Sequence, residues 1–347
     1  MSMRAETGRQ ADAEMLAVWA REVGFGEAAL CGAEDFIAER DAVARGPEIA
    51  ERRQLRFFPS EECPWVRSLA VMLWPYAPCA LSGGNAVFVD SYYSASNAAY
   101  HAARELENRL LEKGVRAKTN VSFPAREAAV RAGLGVIGKN GMLIHPCFGT
   151  RTVIILMATD IPAPVERPEG GKSASCAACG RCAAACPAKA IDARGMSHPE
   201  RCIRNFMMEG VVVPEALRPK MGMRLLGCDI CQRVCPMQPQ TPQRAGLGLE
   251  LDDFLTADDA AFSAGVRRLA QEIGKNAARP QRVRAQAALL AGNRRREEDL
   301  PALRAWAQLP FEAVRVHAQW AIRQIEQKYV GKANGSCDGL DPIGKTD

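Results

Sequence analysis

Two apolar runs and two helical stripes organise the first half of the chain. Leu69–Trp74 and Val153–Met157 are continuous apolar runs, which predict strands that are buried on both faces. Residues 12–24 and 94–113 carry apolar side chains at helical spacing, and each pattern ends at a glycine. Because strands alternate with helices, we predict an α/β domain over residues 1–165.

The pattern changes after this domain. Residues 161–175 are rich in Pro, Gly and Ser and predict a linker. A cysteine-rich module is predicted over 166–245, and helical periodicity follows over 246–330. Two helix pairs of that length suit a HEAT-like array, so the predicted fold class is α/β + α. The polar, glycine-containing stretch 331–347 is predicted to be a disordered tail.

Composition narrows the class of protein. The chain has 347 residues, 48% hydrophobic and 24% charged, which is typical of a globular protein with two or three domains. The net charge of +5 permits a nucleic-acid partner without requiring one. Thirteen cysteines without a secretory signal favour metal ligation in a reducing cytoplasm. No apolar run approaches the length of a membrane span, so we expect no membrane partner.

Eight of the cysteines stand in a pattern that carries chemistry. The first four have the spacing C-x2-C-x2-C-x3-C-P, which is the bacterial ferredoxin run, and a shorter run ends at Pro236. Eight thiolates suffice for two [4Fe–4S] clusters. Zinc sites also use C-x2-C pairs but fit the 2, 2, 3 spacing poorly, and disulfides need an oxidising compartment. The candidate metal ligands are Cys176, Cys179, Cys182, Cys186, Cys202, Cys228, Cys231 and Cys235.

The spacing also predicts an exchange of ligands between the two runs. In a two-cluster ferredoxin, the fourth cysteine of such a run binds the other cluster. The first cluster is therefore assigned Cys176, Cys179, Cys182 and Cys235. The second cluster is assigned Cys186, Cys202, Cys228 and Cys231.

A glycine-rich segment, Gly133–Asn140, matches G-x-G-x-x-G and almost matches a P-loop. It follows a predicted helix that begins near Pro124, whereas a dinucleotide-binding turn follows a strand. A P-loop also needs Ser or Thr where Asn140 stands. We interpret these glycines as positions where backbone closely approaches a flat ligand or another chain segment. The candidate cofactor-binding residues are Gly133, Gly135, Gly138, Lys139 and Asn140.

Together, the eight-cysteine module and the segments Ala132–Asn140, Leu226–Pro236 and Val314–Ile322 resemble the epoxyqueuosine reductase family, which is related to the reductive dehalogenases. The resemblance implies a nitroreductase-like α/β domain that binds cobalamin, a ferredoxin-like double [4Fe–4S] module and HEAT-like helices that help to hold tRNA. The implied reaction is two-electron reduction of epoxyqueuosine in tRNA to queuosine. Electrons would pass from a donor such as flavodoxin or ferredoxin through the clusters to the corrinoid.

The chain departs from this family where the proton donor is expected. The family has an Asp in a turn before the glycine-rich segment, but Lys118–Pro124 contains Asn120 and no carboxylate. An Arg-Asp-Tyr-His stretch of the family is represented only by Tyr100 and His101. The candidate catalytic residues are therefore Tyr100, His101 and Glu127. The alternative for each is an ordinary side chain that packs in the core or lies on the surface.

Three functions stay open at this point. The first is epoxyqueuosine reduction, and the second is a double-cluster electron-transfer protein without catalysis. The third is reductive removal of another leaving group from a small molecule. Basic residues in the helical region could contact RNA phosphates or form an ordinary solvated face. They are Arg267, Arg268, Lys275, Arg279, Arg282, Arg284, Arg294, Arg295 and Arg296.

Overall fold

The computed structural model of the protein describes residues 13–43, 54–81, 83–163, 174–196 and 198–334. Packing of Cα atoms groups these residues into two compact units, each made from three separate stretches of chain. The first unit takes the described residues within Met1–Ala80, Asp90–Asn205 and Cys228–Ala245. The second takes those within Leu81–Val89, Phe206–Gly227 and Gly246–Asp347. The predicted domain boundaries near residues 165 and 245 stay a prediction. The two packed units do not follow these boundaries, because each unit combines stretches from several parts of the chain.

A four-stranded antiparallel sheet lies at the centre of the first unit. Strands are numbered in chain order, and their spatial order is β1 (Glu27–Gly32), β2 (Ser68–Pro75), β7 (Thr152–Thr159) and β4 (Ala117–Thr119). Strands β2 and β7 pair along their whole length, with Ser68 opposite Thr159. The two strands predicted from apolar runs are thus confirmed, whereas β1 and β4 were not predicted.

Helices surround this sheet in the first unit. They are α1 (residues 13–22), α2 (Ile37–Val43), α3 (Pro59–Glu62), α4 (Ser91–Glu112), α5 (Ala125–Arg131), α6 (Ala174–Ala178), α7 (Arg181–Ala185) and α8 (Ile230–Arg233). Helix α4 begins at the N-cap Asp90, whose side chain accepts a hydrogen bond from the backbone N–H of Tyr92. The mixture of helices and strands confirms the coarse fold class, but the antiparallel pairing means that β2 and β7 are not joined in a parallel βαβ unit.

Strand β2 separates two hydrophobic cores. Ala70 and Met72 point to one face, where they belong to a core with the apolar stripe of α4. Leu69, Val71 and Leu73 point to the other face and pack in a core with residues of α5. Burial of each large aliphatic side chain contributes roughly 1.5–3 kcal/mol, which explains why this strand has no polar positions between 69 and 73.

The glycine-rich segment forms a hairpin. Strand β5 (Val136–Ile137) pairs with β6 (Leu143–Ile144) directly after α5. Gly135 has φ +148°, and a Cβ atom there would collide with the carbonyl oxygen of Ile144. The close backbone approach at Gly135 is therefore to another chain segment. The segment opens no helix, in agreement with the argument against a nucleotide-binding turn.

The second unit is mainly helical. Strand β3 (Phe88–Val89) pairs in parallel with β8 (Arg224–Leu226). Four longer helices follow, α9 (Asp259–Ile273), α10 (Pro280–Arg294), α11 (Leu300–Trp306) and α12 (Glu312–Asn334), and α12 packs on both α10 and α11. The predicted tail is wrong for residues 331–334, which continue α12, while 335–347 lie outside the described residues. No described helix is long and apolar enough to cross a membrane.

Candidate functional site

Four cysteines of the first unit line one small cavity. They are Cys176, Cys179, Cys182 and Cys235. The first three lie on or beside the short helices α6 and α7, and Cys235 follows α8, where its N–H donates to the carbonyl of Gln232. The far arm therefore supplies the fourth thiol of this group, as the ferredoxin spacing requires.

The other four cysteines form a second neighbourhood. Burial is the main cause that raises the pKa of the Cys231 thiol, and the nearby sulfurs of Cys228, Cys202, Cys182 and Cys186 raise it further. Cys182 of the first group therefore also lies near this second neighbourhood. Burial likewise raises the pKa of Cys202, with Cys186 as the neighbouring sulfur that adds to the shift. Such buried thiols stay protonated at neutral pH unless iron ligation stabilises the thiolate.

Backbone N–H groups point at two of these sulfurs. The N–H of Lys139 donates to Sγ of Cys176 over 3.3 Å, and the N–H of Ala190 donates to Sγ of Cys186 over 3.3 Å. Hydrogen bonds to ligand sulfurs stabilise negative charge on them and raise the reduction potential of a cluster. The chemistry of the donor set therefore fits two four-iron clusters.

The glycine-rich hairpin supports the first cysteine group. The Lys139 Nζ donates to the carbonyl oxygens of Ala177 and Cys179 over 2.7 and 3.2 Å. Asn140 is 4% exposed and lines the cysteine cavity. The structure thus places two of the five candidate cofactor-binding residues against the first cysteine loop, and their role toward a corrinoid stays a prediction.

Within the described part of the chain, no three His, Cys, Asp or Glu side chains are close enough together to hold a single metal ion. This spacing is compatible with a cubane, because the four thiolates around a [4Fe–4S] cluster each bind a different iron atom.

A cleft beside the first cysteine group contains about 670 Å3 of empty space and opens to solvent. Its lining residues are Pro75, Tyr76, Ala77, Cys147, Phe148, Arg151, Gln238, Pro239 and Thr241. The segment 235–241 joins the two sites, because its first three residues line the cysteine cavity and its last residues line the cleft.

Two buried polar atoms at the cleft have no hydrogen-bond partner among the described residues. They are Nε of Arg151 and Oε1 of Gln238. The amide nitrogen of Gln238 donates to the hydroxyl of Thr150, which fixes the orientation of the amide. A buried polar atom without a partner costs free energy, so both atoms suggest that a ligand completes the site.

Behind the cleft lies a buried group of charged and aromatic residues. Asp90 is 6% exposed, and burial raises its pKa from 3.8 to about 6, with Asp229 as a neighbouring negative charge. The guanidinium of Arg204 lies over the rings of Tyr92 and Tyr93 and lowers the pKa of Asp90 in part. This group belongs to no cysteine loop, and it reaches the cleft through Tyr76, whose ring contacts Tyr92 edge to face.

The predicted catalytic residues lie elsewhere in the first unit. Tyr100 is 41% exposed on α4, and its ring contacts His101 edge to face. Glu127 is partly exposed on α5, 4.0 Å from the guanidinium of Arg126. None of the three is among the described residues that line the cleft or the cysteine cavity. Asn120, at the family's Asp position, is exposed and has φ +61°.

The basic residues of the helical unit divide into two groups. Arg282 is buried and donates to the carbonyl oxygens of Met207 and Ala277, and Arg284 lies over Phe262 with an ion pair to Asp259. Arg294 is also structural, with ion pairs to two acidic side chains. Exposed side chains remain at Arg267, Arg268, Lys275, Arg279, Arg295 and Arg296.

Sequence reasoning missed the residues of the cleft and of the buried charged group. Asp90 carried a signal, because an Asp between an apolar pair and an amphipathic stripe is a typical N-cap. Arg151 carried only a weak sequence signal, which is that a charged residue stands directly before a buried strand. Neither signal indicated the neighbours of these residues, which come from distant parts of the chain. Arg204 and Asp229 act on the charge of Asp90, and Gln238 lines the cleft with Arg151.

Comparisons with known proteins agree with this site. Residues 175–238 match the family described as 4Fe-4S double cluster binding domain. An epoxyqueuosine reductase of Aliivibrio fischeri is 27% identical over 350 aligned positions, which cover 90% of this chain and 91% of that relative. One of Staphylococcus aureus is 36% identical over 130 residues, which cover 38% of this chain and only 32% of that relative's length.

Solved structures extend the similarity to the fold. The epoxyqueuosine reductase of Bacillus subtilis, solved with its catalytic aspartate loop swung out of the active site, superposes with a TM-score of 0.71 and 21% identity. An epoxyqueuosine reductase crystallised with an epoxyqueuosine-modified tRNA-Tyr stem loop gives a TM-score of 0.72 at 21% identity. Each superposition covers 95% of this chain and 96% of the other. In sequence along most of its length and in fold, the chain is similar to the epoxyqueuosine reductases.

Proposed function

We propose that this protein is an iron–sulfur and corrinoid-dependent reductase that converts epoxyqueuosine in tRNA to queuosine. Two electrons and two protons convert the epoxide to a carbon–carbon double bond and water. The observation that carries the proposal is a cavity lined by three thiols of the first cysteine run and by Cys235 of the second, next to a cleft. Similarity to an epoxyqueuosine reductase over 90% of this chain supports the proposal.

The eight cysteines are the proposed cluster ligands, in the two sets that the spacing predicted. Cys235 completes the set of Cys176, Cys179 and Cys182, with which it lines one cavity. Cys186 and Cys202 complete the set of Cys228 and Cys231. Pairs of variants test this arrangement. Replacing Cys179 and Cys235 by Ala together should lose one cluster, about four irons, whereas replacing Cys179 and Cys228 together should lose both. Cys79→Ala, a thiol outside both sets, is the control.

The cleft offers chemistry that fits a corrinoid. A corrinoid is flat and apolar on its faces and carries amide groups on its rim. The cleft has aromatic walls at Tyr76 and Phe148, and the unpartnered Oε1 of Gln238 can accept a hydrogen bond from a rim amide. When bound, the corrinoid supplies a strongly reducing cobalt centre for the electron transfer. Pro75 and Pro239 would give the bound corrinoid further apolar surface to pack on.

Protons must come from a group other than residue 120, because the amide of Asn120 does not release a proton near neutral pH. Tyr100, His101 and Glu127 remain the proposed donors. Their exposure is compatible with a substrate that arrives from solvent, since proton donors often reach their working geometry only in the complex.

Contact with tRNA is proposed for the exposed basic side chains of the helical unit, and the HEAT-like arrangement of its helices belongs to the same proposal. Arg267, Lys275, Arg295 and Arg296 can approach phosphates, whereas Arg282 and Arg294 are occupied inside the unit. Phosphate contacts of this kind weaken as salt rises.

The test is turnover by protein purified without oxygen and supplied with cobalamin. We expect about eight irons and one cobalt per chain, and queuosine in digests of epoxyqueuosine tRNA after addition of a chemical reductant. The Cys179→Ala variant is the inactive control. Full iron without cobalt and without queuosine would refute the proposal and support the double-cluster electron-transfer protein instead. Flavodoxin or ferredoxin can then replace the chemical reductant to identify the electron donor.

A further inference from the structure

Arg151 is a buried cation at the cleft that forms no ion pair with an Asp or Glu side chain in the described part of the chain. Its side chain is 8% exposed, and its Nε has no hydrogen-bond partner among the described residues. None of the described lining residues of the cleft is an Asp or Glu. Among the described residues, the lining of the cleft thus contains a cation and no carboxylate.

The charges around Arg151 do not satisfy its donors. Asp90 and Cys235 are near enough for Arg151 to lower their pKa values, although burial, which raises both pKa values, is the larger cause for each group. Asp90 makes no ion pair with Arg151 within 4.0 Å among the described residues. A guanidinium carries five N–H donors in a planar fork, and this fork matches the two oxygens of a carboxylate or phosphate.

The shape of the cleft adds a second feature of the ligand. Tyr76 and Phe148 place aromatic rings at the walls, and Pro75 and Pro239 add apolar surface. Phe148 is held in place, because its ring stacks on His145 with centroids 4.3 Å apart and its N–H donates to Nδ1 of His145. The same histidine bonds Glu27 through Nε2 over 2.8 Å, which fixes the ring.

We propose that Arg151 binds an oxyanion, a carboxylate or a phosphate, of a flat organic molecule that enters this cleft. The inference rests on the proposed function only in taking the cleft as the place of reaction. The test measures ligand binding and not turnover, so this inference and the proposed function can be refuted independently.

The experiment compares two ligands of the same shape and different charge. Benzoate and benzamide are titrated calorimetrically into the full-length protein, purified without oxygen with its iron intact, at pH 7.5 and fixed ionic strength. Inorganic phosphate forms a third titration. We expect benzoate, phosphate or both to bind, and benzoate to bind at least about tenfold more tightly than benzamide if the site takes carboxylates, because hydrogen bonds to charged groups are the strong ones. Binding of phosphate alone would identify a phosphate as the oxyanion.

Variants then assign the preference to one side chain. Arg151→Gln should remove the preference for the anion, and Arg151→Lys should keep part of it. Arg194→Gln, which changes an 86% exposed arginine of the same unit, should leave it unchanged. Iron content and thermal melting show whether each variant is folded. If Arg151→Gln does not fold, the comparison of charged and neutral ligands in the unaltered protein still decides.

Three results would overturn the inference. The first is equal affinity for benzoate and benzamide together with no binding of phosphate, which would indicate that Arg151 serves a neutral amide. The second is an anion preference that persists in Arg151→Gln. The third is an Arg151→Gln variant whose cluster potential shifts while anion binding is unchanged, which would assign the guanidinium to the charge of the cysteine group at Cys235.

Discussion

Replacement of Asp90 by Asn removes a buried charge and keeps the helix cap. The side-chain oxygen of residue 90 accepts a hydrogen bond from the N–H of Tyr92 over 3.1 Å, and an amide oxygen can do the same. The carboxyl group is 6% exposed, and burial raises its pKa from 3.8 to about 6. In the folded protein this group therefore holds its proton up to about pH 6, whereas in the unfolded chain it releases the proton near pH 4.

The folded state binds more protons than the unfolded state between these two pKa values, so the stability contributed by this group falls as pH rises from about 4 to about 6. A shift of about two units corresponds to about 3 kcal/mol at pH 7, of which about half is already present at pH 5. We expect Asp90→Asn to raise the free energy of unfolding by about 2–3 kcal/mol at pH 7. At pH 5 this increase should be smaller by about 1.5 kcal/mol.

Unfolding of both proteins without oxygen, at pH 5, 6, 7 and 8, measures this difference. Asp258→Asn is the matched control, because Asp258 caps α9 through Ala260 N–H in the same way but is exposed. A difference between Asp90→Asn and the original protein that is constant from pH 5 to 8 would refute the reasoning, since it would separate the stability effect from the titration of residue 90.

Two further predictions concern other buried positions. Burial lowers the pKa of His317 from 6.5 to about 4, so its contribution to stability is present above pH 6.5 and is lost as pH falls toward 4. His317→Gln should cost about 1–3 kcal/mol at pH 7, because Val213 N–H or Ala285 C=O loses its partner, and urea unfolding should show this loss narrowing toward pH 5. Gly135→Ala should lower the melting temperature, because its φ of +148° and the carbonyl of Ile144 leave no room for Cβ, whereas Gly180→Ala meets no atom within 4 Å and should change little. Equal melting temperatures for the two glycine variants would contradict the described hairpin geometry.

Local pattern was enough to predict the parts of the fold that depend on local chemistry. Strands β2 and β7 are buried on both faces, so their apolar runs carry no polar interruption, and the α4 stripe of Ala99, Ala103, Leu106 and Leu110 is fully buried as predicted. The shared cavity of Cys176, Cys179, Cys182 and Cys235 was also predictable from the spacing of the cysteines along the chain, and the second ligand set stays a prediction. The short strands β1 and β4 were missed, since six and three residues give too little periodicity to recognise.

The cleft could not be predicted because its residues come from three distant parts of the chain. Tyr76 follows β2, Arg151 precedes β7 and Gln238 follows the last cysteine. Each looks like an ordinary loop or strand-end residue by itself. The basic residues of α10 could not be sorted from the sequence for the same reason. Helical spacing does not show that Arg282 turns inward and donates to a backbone carbonyl.

The pairing of β3 with β8 has a consequence for how the protein is made. Val89 pairs with Leu226, which is 137 positions later, and α10 packs on β8 later still. Contacts this remote in sequence form late. All eight candidate cluster cysteines precede the four longer helices of the second unit in the chain, so they are synthesised before that unit can be completed. No single division of the chain separates the two units, because each unit is made from three separate stretches. A fusion or transfer of this protein should therefore keep the whole chain.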